Sequence, residues 1–334
     1  MAYGQGSDCW IGIGEESTWG TSVSRTKFFQ PVSVGMKAEI TRGYSRTIYS
    51  LDPQRSFISR QRALGDIELE FLYSNHLKLL KHALGGSTIA QIGTTAAYKA
   101  EFARTNTAGA WTQLPAGLSV EVNEGIENYI HDGQKVNQLE LRFQPDQLPS
   151  GVFSFVGRKA TLNTSASSPT FGLDADMITP AQCSVFIGTT DWSAEVKGVT
   201  ITVGNGLDAE RGRMGSNLIK EPVRTQRPDT MVRLDLEYND TTKALVADFL
   251  AGTAKSIMVK ALGAAIGTNQ QTFMVELPNC VIEDGFPTPS DTGIIPLTLS
   301  LKALAQAGGA SWNNTVSSMG GAIRITVIST ETSI

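Results

Sequence analysis

Side-chain catalysis needs nucleophiles, bases or metal ligands gathered in one place, and few residues of this chain offer that. The three histidines are His76, His82 and His131. His76 and His82 are six residues apart, so on a helix they project from different faces, and neither fits the HExxH spacing of a zinc site. Gly12-Ile13-Gly14 begins like a dinucleotide-binding turn, but Glu15-Glu16-Ser17 follows where the closing glycine should fall. The chain contains neither a GxxxxGK[ST] phosphate loop nor a GxSxG nucleophile elbow. Glu15-Glu16 and Glu283-Asp284 are adjacent carboxylates, which a strand points to opposite faces, whereas acid–base chemistry needs two groups converging on one atom. Cys9, Cys183 and Cys280 are an odd and scattered set, matching neither a disulfide framework nor paired CxxC ligands, and they read as reduced thiols. Asn163-Thr164-Ser165 matches a glycosylation acceptor, but the start MAYGQGSDCW has no basic opening and no apolar core of a secretory leader. A hydrolase reading has only His131, in a glycine-containing stretch, to build on. The expectation is a protein that is not an enzyme, with no catalytic, cofactor-binding or metal-binding residues and no cofactor.

Composition narrows the class further. The 334 residues are 41% hydrophobic and 18% charged, with 33 glycines, which excludes a disordered chain or a coiled coil and leaves room for about two domains. No apolar run approaches the ~20 residues of a membrane-spanning helix. The formal net charge of −4 argues against a protein whose task is to grip nucleic acid. The arginines at 42–62 and 211–227 are the best basic candidates. They are interspersed with acids, so salt bridges between subunits account for them as well as phosphate contacts do.

The elements that carry these residues repeat. An offset of 165 residues aligns Gln61-Arg62 with Gln226-Arg227, Leu69 with Leu234, Phe71 with Leu236, Tyr73 with Tyr238, Lys78 with Lys243 and Leu80 with Leu245. Each copy opens on a period of two: Ile67, Leu69, Phe71 and Tyr73, then Val232, Leu234, Leu236 and Tyr238. That pattern predicts a strand with one buried face. The period then lengthens, with Leu77, Leu80 and Leu84 on one face of a short helix and Leu245, Phe249 and Leu250 on its counterpart. Gly85-Gly86 and Gly252 stand where those helices should end. Met36–Gly43 and Val199–Gly206 lead the two halves as strands ending in glycine. Leu118–Glu124 pairs with Phe273–Asn279, and Leu139–Phe143 with Leu297–Leu301. The expected order in each half is strand, long loop, strand, helix and three strands. The long loops are 41–64 and 204–228, and their shared presence points to an interface. The five tryptophans, Trp10, Trp19, Trp111, Trp192 and Trp312, are scattered, as packing anchors would be.

Residues 9–31, CWIGIGEESTWGTSVSRTKFFQP, resemble the opening of the tail tube proteins of long-tailed bacteriophages. In that family an aromatic and small apolar residues lead into a G-x-E-[ES]-[ST]-[TS]-[YW]-G-T motif, then a polar stretch and an aromatic-proline entry to a strand. The matching residues here are Gly14, Glu15, Glu16, Ser17, Thr18, Trp19, Gly20 and Thr21, followed by Phe28-Phe29 and Pro31. Many such proteins carry one unit, and this chain reads as a duplicated, two-unit form.

The resemblance implies a mainly β fold of two tandem tail-tube-type β-sandwich or barrel units, each with one short α-helix. The expected organisation is an N-terminal arm over 1–30 and a first unit over 31–162. A linker or inter-unit strand over 163–190 precedes a second unit over 191–334. It also implies a structural virion protein that stacks as rings into the tail tube, a conduit for genome delivery. Six single-unit subunits make a ring in the family, so three two-unit chains would make a pseudo-sixfold one. The implied partners are other copies of the chain, a tape-measure protein, a tail terminator and distal tail or baseplate proteins. Double-stranded DNA passes the lumen without specific binding, and the chain does not insert in a membrane. Assembly would take place in the host bacterial cytoplasm. The loops 41–64 and 204–228 would reach the next ring, and the arm and the C-terminal strand 322–328 are further interface candidates, although that strand alternates only loosely and reads equally as an ordinary core strand. The rival readings are a tail terminator, a distal tail protein or a secretion-tube component, and, further away, a β-sandwich binding module.

Overall fold

The computed structural model describes residues 5–334 except 47, 50, 105, 108, 109, 112, 173–175, 290, 291, 307–310, 313, 314 and 317–319. Only the backbone is described at 106, 107, 110, 111, 311, 312, 315 and 316, so the side chains of Trp111 and Trp312 lie outside the described set. The first half contains β1 (Trp10–Glu16), β2 (Lys27–Phe29), β3 (Ser33–Val34), β4 (Lys37–Tyr44), β5 (Ser56–Glu70), α1 (Leu77–Leu84), β6 (Gly86–Gln91) and β7 (Tyr98–Ala103). It continues with β8 (Asn106–Thr107), β9 (Ala110–Trp111), β10 (Gly117–Asn123), β11 (Asn128–Gln144), β12 (Gln147–Gly157) and β13 (Lys159–Asn163). The second half has β14 (Cys183–Ile187), β15 (Thr190–Asp191), β16 (Val196–Gly204), β17 (Asp229–Glu237), α2 (Lys243–Ala251), β18 (Lys255–Ile266) and β19 (Asn269–Asp284). It closes with β20 (Pro296–Ala303), β21 (Ser311–Trp312), β22 (Thr315–Val316) and β23 (Arg324–Ser329). The fold is mainly β, with two α-helices among the described residues.

One order of antiparallel pairing occurs in both halves. In the first it is β5–β12–β11–β10–β1, and in the second β17–β20–β19–β18–β14. β13 joins β11 where β23 joins β19. β5 leads into α1 as β17 leads into α2. Each helix lays its apolar face on the sheets. Leu77, Leu80 and Leu84 are buried, as are Leu245 and Val246, with Phe249 packed against the core. Leu250 departs from expectation: it is 72% exposed, because it lies a hundred degrees round the helix from Phe249. Gly252 ends α2 at φ 65°, a conformation that a side chain disfavours.

The halves interlock at two places. β11 pairs with β16, and β7 of the first half pairs with β23 of the second. The result is a continuous run of eight strands, β4–β5–β12–β11–β16–β17–β20–β19. A single apolar cluster extends from Ile11 to Val327 beneath it. Arg324, fully buried on β23, pins this junction: its Nε donates to the Glu276 carboxylate of β19 at 2.6 Å, and Glu101 of β7 stands 3.8 Å away.

Several segments differ from the expected pattern. Residues 41–64 are mostly a long hairpin, since β4 and β5 pair from Lys37–Leu64 out to Tyr44–Ser56. β4 itself coincides with the expected strand Met36–Gly43, and the part read as loop that is strand is Ser56–Leu64 of β5, which is partly open on both faces and shows little alternation. Residues 10–29 of the expected arm are integrated into the sheet, with β1 buried between β10 and β2. Of the two readings of the C-terminal strand the core one holds, since it is paired on both sides. β6 and β7 follow α1 in the first half without a counterpart after α2.

Candidate functional site

The motif that carries the resemblance folds into a clamp. Glu16 ends β1 with a buried carboxylate, which accepts hydrogen bonds from the Gly20 N–H (2.6 Å), the Ser119 hydroxyl (2.8 Å) and the Gly133 N–H (2.8 Å). The Trp19 indole N–H donates to the Gly133 carbonyl at 2.8 Å, and the Arg158 guanidinium lies 6.0 Å from the indole centre while donating to the Gly20 carbonyl. Gly133 has φ 66°, and a Cβ there would sit 2.9 Å from the Trp19 ring, so the indole needs this glycine. Glu15, the neighbouring acid, points the other way to Lys81 (2.6 Å) and His82 (3.2 Å) of α1. The His82 hydrogen bond, with help from Lys81, holds the Glu15 carboxyl down to about 2. The two acids fix β1 to its neighbours and do not converge on a reactive centre.

The histidines do not gather either. His76 rests on Phe29 and Phe71, and burial lowers it to about 4. Burial lowers His131 to about 4 and lowers His82 as well. Among the described residues no group of three or more His, Cys, Asp or Glu is placed to hold a metal ion. Among the described residues no helix is long and apolar enough to cross a membrane. Two arginines of the first long segment pair with acids within the chain. Arg60 and Arg62 both engage Glu210, and Arg62 also reaches Glu39 at 2.7 Å. The Gln61 N–H donates to the Asn217 carbonyl at 2.6 Å, so segment 204–228 is strapped to the base of the hairpin. The intersubunit salt bridges expected there are intramolecular ones for these residues.

What the molecule leaves open is sheet edge. Val32, Val34 and Met36 lie beside Leu69, Ile67 and Gly65 of β5 as Val199, Ile201 and Val203 lie beside Leu234, Val232 and Thr230 of β17. The apolar triplet is the same, but its cover is not. β11 closes over the second triplet, pairing Phe143, Leu141 and Leu139 with Val199, Ile201 and Val203, and Val199 is 1% exposed. Among the described residues no strand lies outside β3 and β4, and Val32 is 56% exposed. The opposite end has the complementary gap. β19 pairs through Val281 and Ile282 with β20, as β11 pairs through Gln138 and Leu139 with β12. β16 covers the far side of β11 there, whereas β18 leaves β19 at Cys280 and no described strand follows it.

Two further surfaces accompany these edges. The face of the eight-stranded run turned away from the core carries Asp66, Glu68, Glu70, Glu140, Asp235 and Glu237. Arg142, Arg233 and Lys302 sit among them, with Arg142 bonded to Glu68 and Glu140 and Arg233 to Asp235. The β4–β5 hairpin carries at its tip Ile48, Tyr49 and Leu51, each at least 94% exposed. The edges were not legible in the sequence, because burial by β11 or by nothing leaves the same triplet of apolar letters.

A family model described as "Phage tail tube protein" matches residues 6–315. No curated protein matches the chain.

Proposed function

The chain belongs to the phage tail tube protein family and is a structural component of the phage tail, and on that premise we propose that three copies close into a ring of six equivalent units whose rings stack into the tube. The supporting observation is the matched pair of open edges. The molecule carries at its two ends the two sides of a contact that it makes once in its middle, between β11 and β16. A neighbour's β3 and the start of β4 would dock on Val281–Asp284 as β16 docks on β11. Such a contact is heterologous and propagates until it closes. An exposed edge strand is a hazard in a monomer and a template in an assembly. Six units, the number the family resemblance implies, require three two-unit chains. The two units are read as 31–162 and 191–334, and the duplicated pairing order adds β1 to the first and Cys183–Ile187 to the second.

In that ring the eight-stranded runs join, and their polar face lines the lumen. The acids named on that face outnumber the bases beside them and repel phosphate on balance, which suits DNA that must pass without sticking. The hairpin tip with Ile48, Tyr49 and Leu51 reaches the next ring. The tube then serves as the conduit for genome delivery, assembled in the host cytoplasm with a tape-measure protein, a terminator and distal tail or baseplate proteins. The proposal gives the chain a structural role and no catalysis.

The test sets one residue against its equivalent. Val32→Asp lies on an open edge, so the subunit should keep its melting temperature within about 2 °C and form no rings by electron microscopy. Val199→Asp buries an unpaired charge and should prevent folding. Threefold rings assembled by Val32→Asp as readily as by the unaltered protein would remove the edge from the interface.

A further inference from the structure

A cavity of about 400 Å³ opens between the end of β7, the start of β17 and the end of β20. Its charged lining is Arg104, Arg224, Arg227 and Lys302, with one acid, Asp229. Arg104 is only 7% exposed, and its guanidinium donates to neutral acceptors, the Thr230 hydroxyl at 3.0 Å and the Gly204 carbonyl at 3.3 Å. Among the described residues no carboxylate lies within ion-pair distance of it. Asp229 is engaged by Lys302 at 3.2 Å. Arg224 donates to the Asn205 side-chain carbonyl at 3.1 Å and so stands on the same wall. Burial, and then the charge of Arg224, lower Arg104 to about 10. Asp229 is the one acid whose charge reaches this buried cation, and it is shared with Lys302, so the opposite charge does not match the cations that line the cavity or offset the hydration Arg104 has lost.

The chain does not supply that charge from the flanking segments. Residues 105–116, which follow Arg104, contain no aspartate or glutamate, and neither do residues 303–323, which run from the end of β20 to the start of β23. Asp229 alone does not balance four cations, which leaves room for an anion from outside. We infer that this cavity is an oxyanion site, taking a phosphate or carboxylate group, with Arg104 and Arg224 on its inner wall and Arg227 and Lys302 at its mouth. Guanidinium forks match the paired oxygens of both groups, which is why arginine dominates such sites. The inference concerns a single chain and stands apart from ring formation.

Calorimetric titration of the full-length protein at constant ionic strength tests it, with inorganic phosphate and, separately, acetate as probes. The expected result is saturable binding of at least one probe at millimolar concentration or below. Arg227→Gln, at an exposed position, should weaken that binding about tenfold, the worth of one charge-assisted hydrogen bond. Asp229→Asn removes the competing acid and releases Lys302, so it should tighten binding severalfold, a change that misfolding cannot imitate. Saturation by phosphate alone assigns a phosphate-type site, and saturation by both probes a general oxyanion site. No saturation by either probe, or the same affinity in both variants as in the unaltered protein, would overturn the inference.

Discussion

Glu16 holds a turn in place with a single carboxylate. Its three donors come from residues 20, 119 and 133, so one side chain ties the loop after β1 to β10 and β11. Glu16→Ala leaves two buried N–H groups and a hydroxyl without acceptors, which should cost about 2–4 kcal/mol in chemical denaturation. Glu16→Gln keeps an acceptor and should cost less. Equal and negligible effects of the two changes would show that the clamp does not bear on stability. The motif was legible as residue letters, but its meaning was not, because Ser119, Gly133 and Arg158 are more than a hundred residues away from it. The histidines supply a second prediction. His76 and His131 have folded-state values near 4, below the 6.5 of an unfolded chain, so the unfolded chain takes up their protons first. Their stabilisation is complete above pH ~6.5 and declines as the pH falls toward 4, by at most about 3 kcal/mol for each. Glu15, depressed to about 2, adds a loss of the same sign below pH ~4.5. Urea unfolding from pH 7 to 4.5 should show stability falling with pH, and His131→Gln should flatten the slope by about 1.4 kcal/mol per pH unit. A slope unchanged in that variant would mean that His131 is protonated in the folded chain.

At the scale of the element, the strands that could be read were those with one wet face and one dry face. β5 beyond Leu64, β16, β17 and β20 alternate in burial nearly residue by residue, as their letters do. The first part of β5, Ser56–Leu64, alternates only weakly because water reaches both its sides, and so it read as loop although pairing with β4 makes it strand. The C-terminal strand was ambiguous for the opposite reason. It is buried almost throughout, since β7 and β19 flank it and even its arginine is covered. Removing the hairpin tip tests whether it makes the contact between rings. Residues 56–60 belong to β5, so the segment to remove is 45–55 alone, closed by a short turn. A gentler change, Ile48→Ser with Tyr49→Ser and Leu51→Ser, removes the apolar tip and leaves the pairing intact. These side chains touch little within the chain, so stability should shift by less than about 0.5 kcal/mol. Rings should still close, since the lateral edge is elsewhere, and electron microscopy should show them unstacked. Long tubes from the triple variant would place the stacking contact at another surface.

The whole molecule separates its surfaces by task, and that separation follows from sheet geometry. Because side chains alternate across a strand, an eight-stranded run with one face in the core must present the other as a single continuous wall. That wall spans both halves, since β11 and β16 join without a break. Its charge is therefore a property of the assembly rather than of any one residue, and each change is repeated in every copy around the proposed ring. Asp66 and Glu70 are its exposed acids on β5. Replacing both by lysine changes the wall by four charges per chain and inverts its sign, while the core beneath stays as it was. Phosphates would then exchange condensed counterions for lysines at each ring they pass. Phage carrying Asp66→Lys and Glu70→Lys should assemble tails of ordinary length yet eject DNA more slowly, and raising the salt should restore the rate, because counterion release weakens as salt rises. The matched neutral change, Asp66→Asn with Glu70→Gln, separates attraction from mere loss of repulsion and should have a much smaller effect. Unaltered ejection from the lysine phage at low salt would mean that this wall does not face the DNA, and the polar side of the sheet would then have to be the outer surface of the tube.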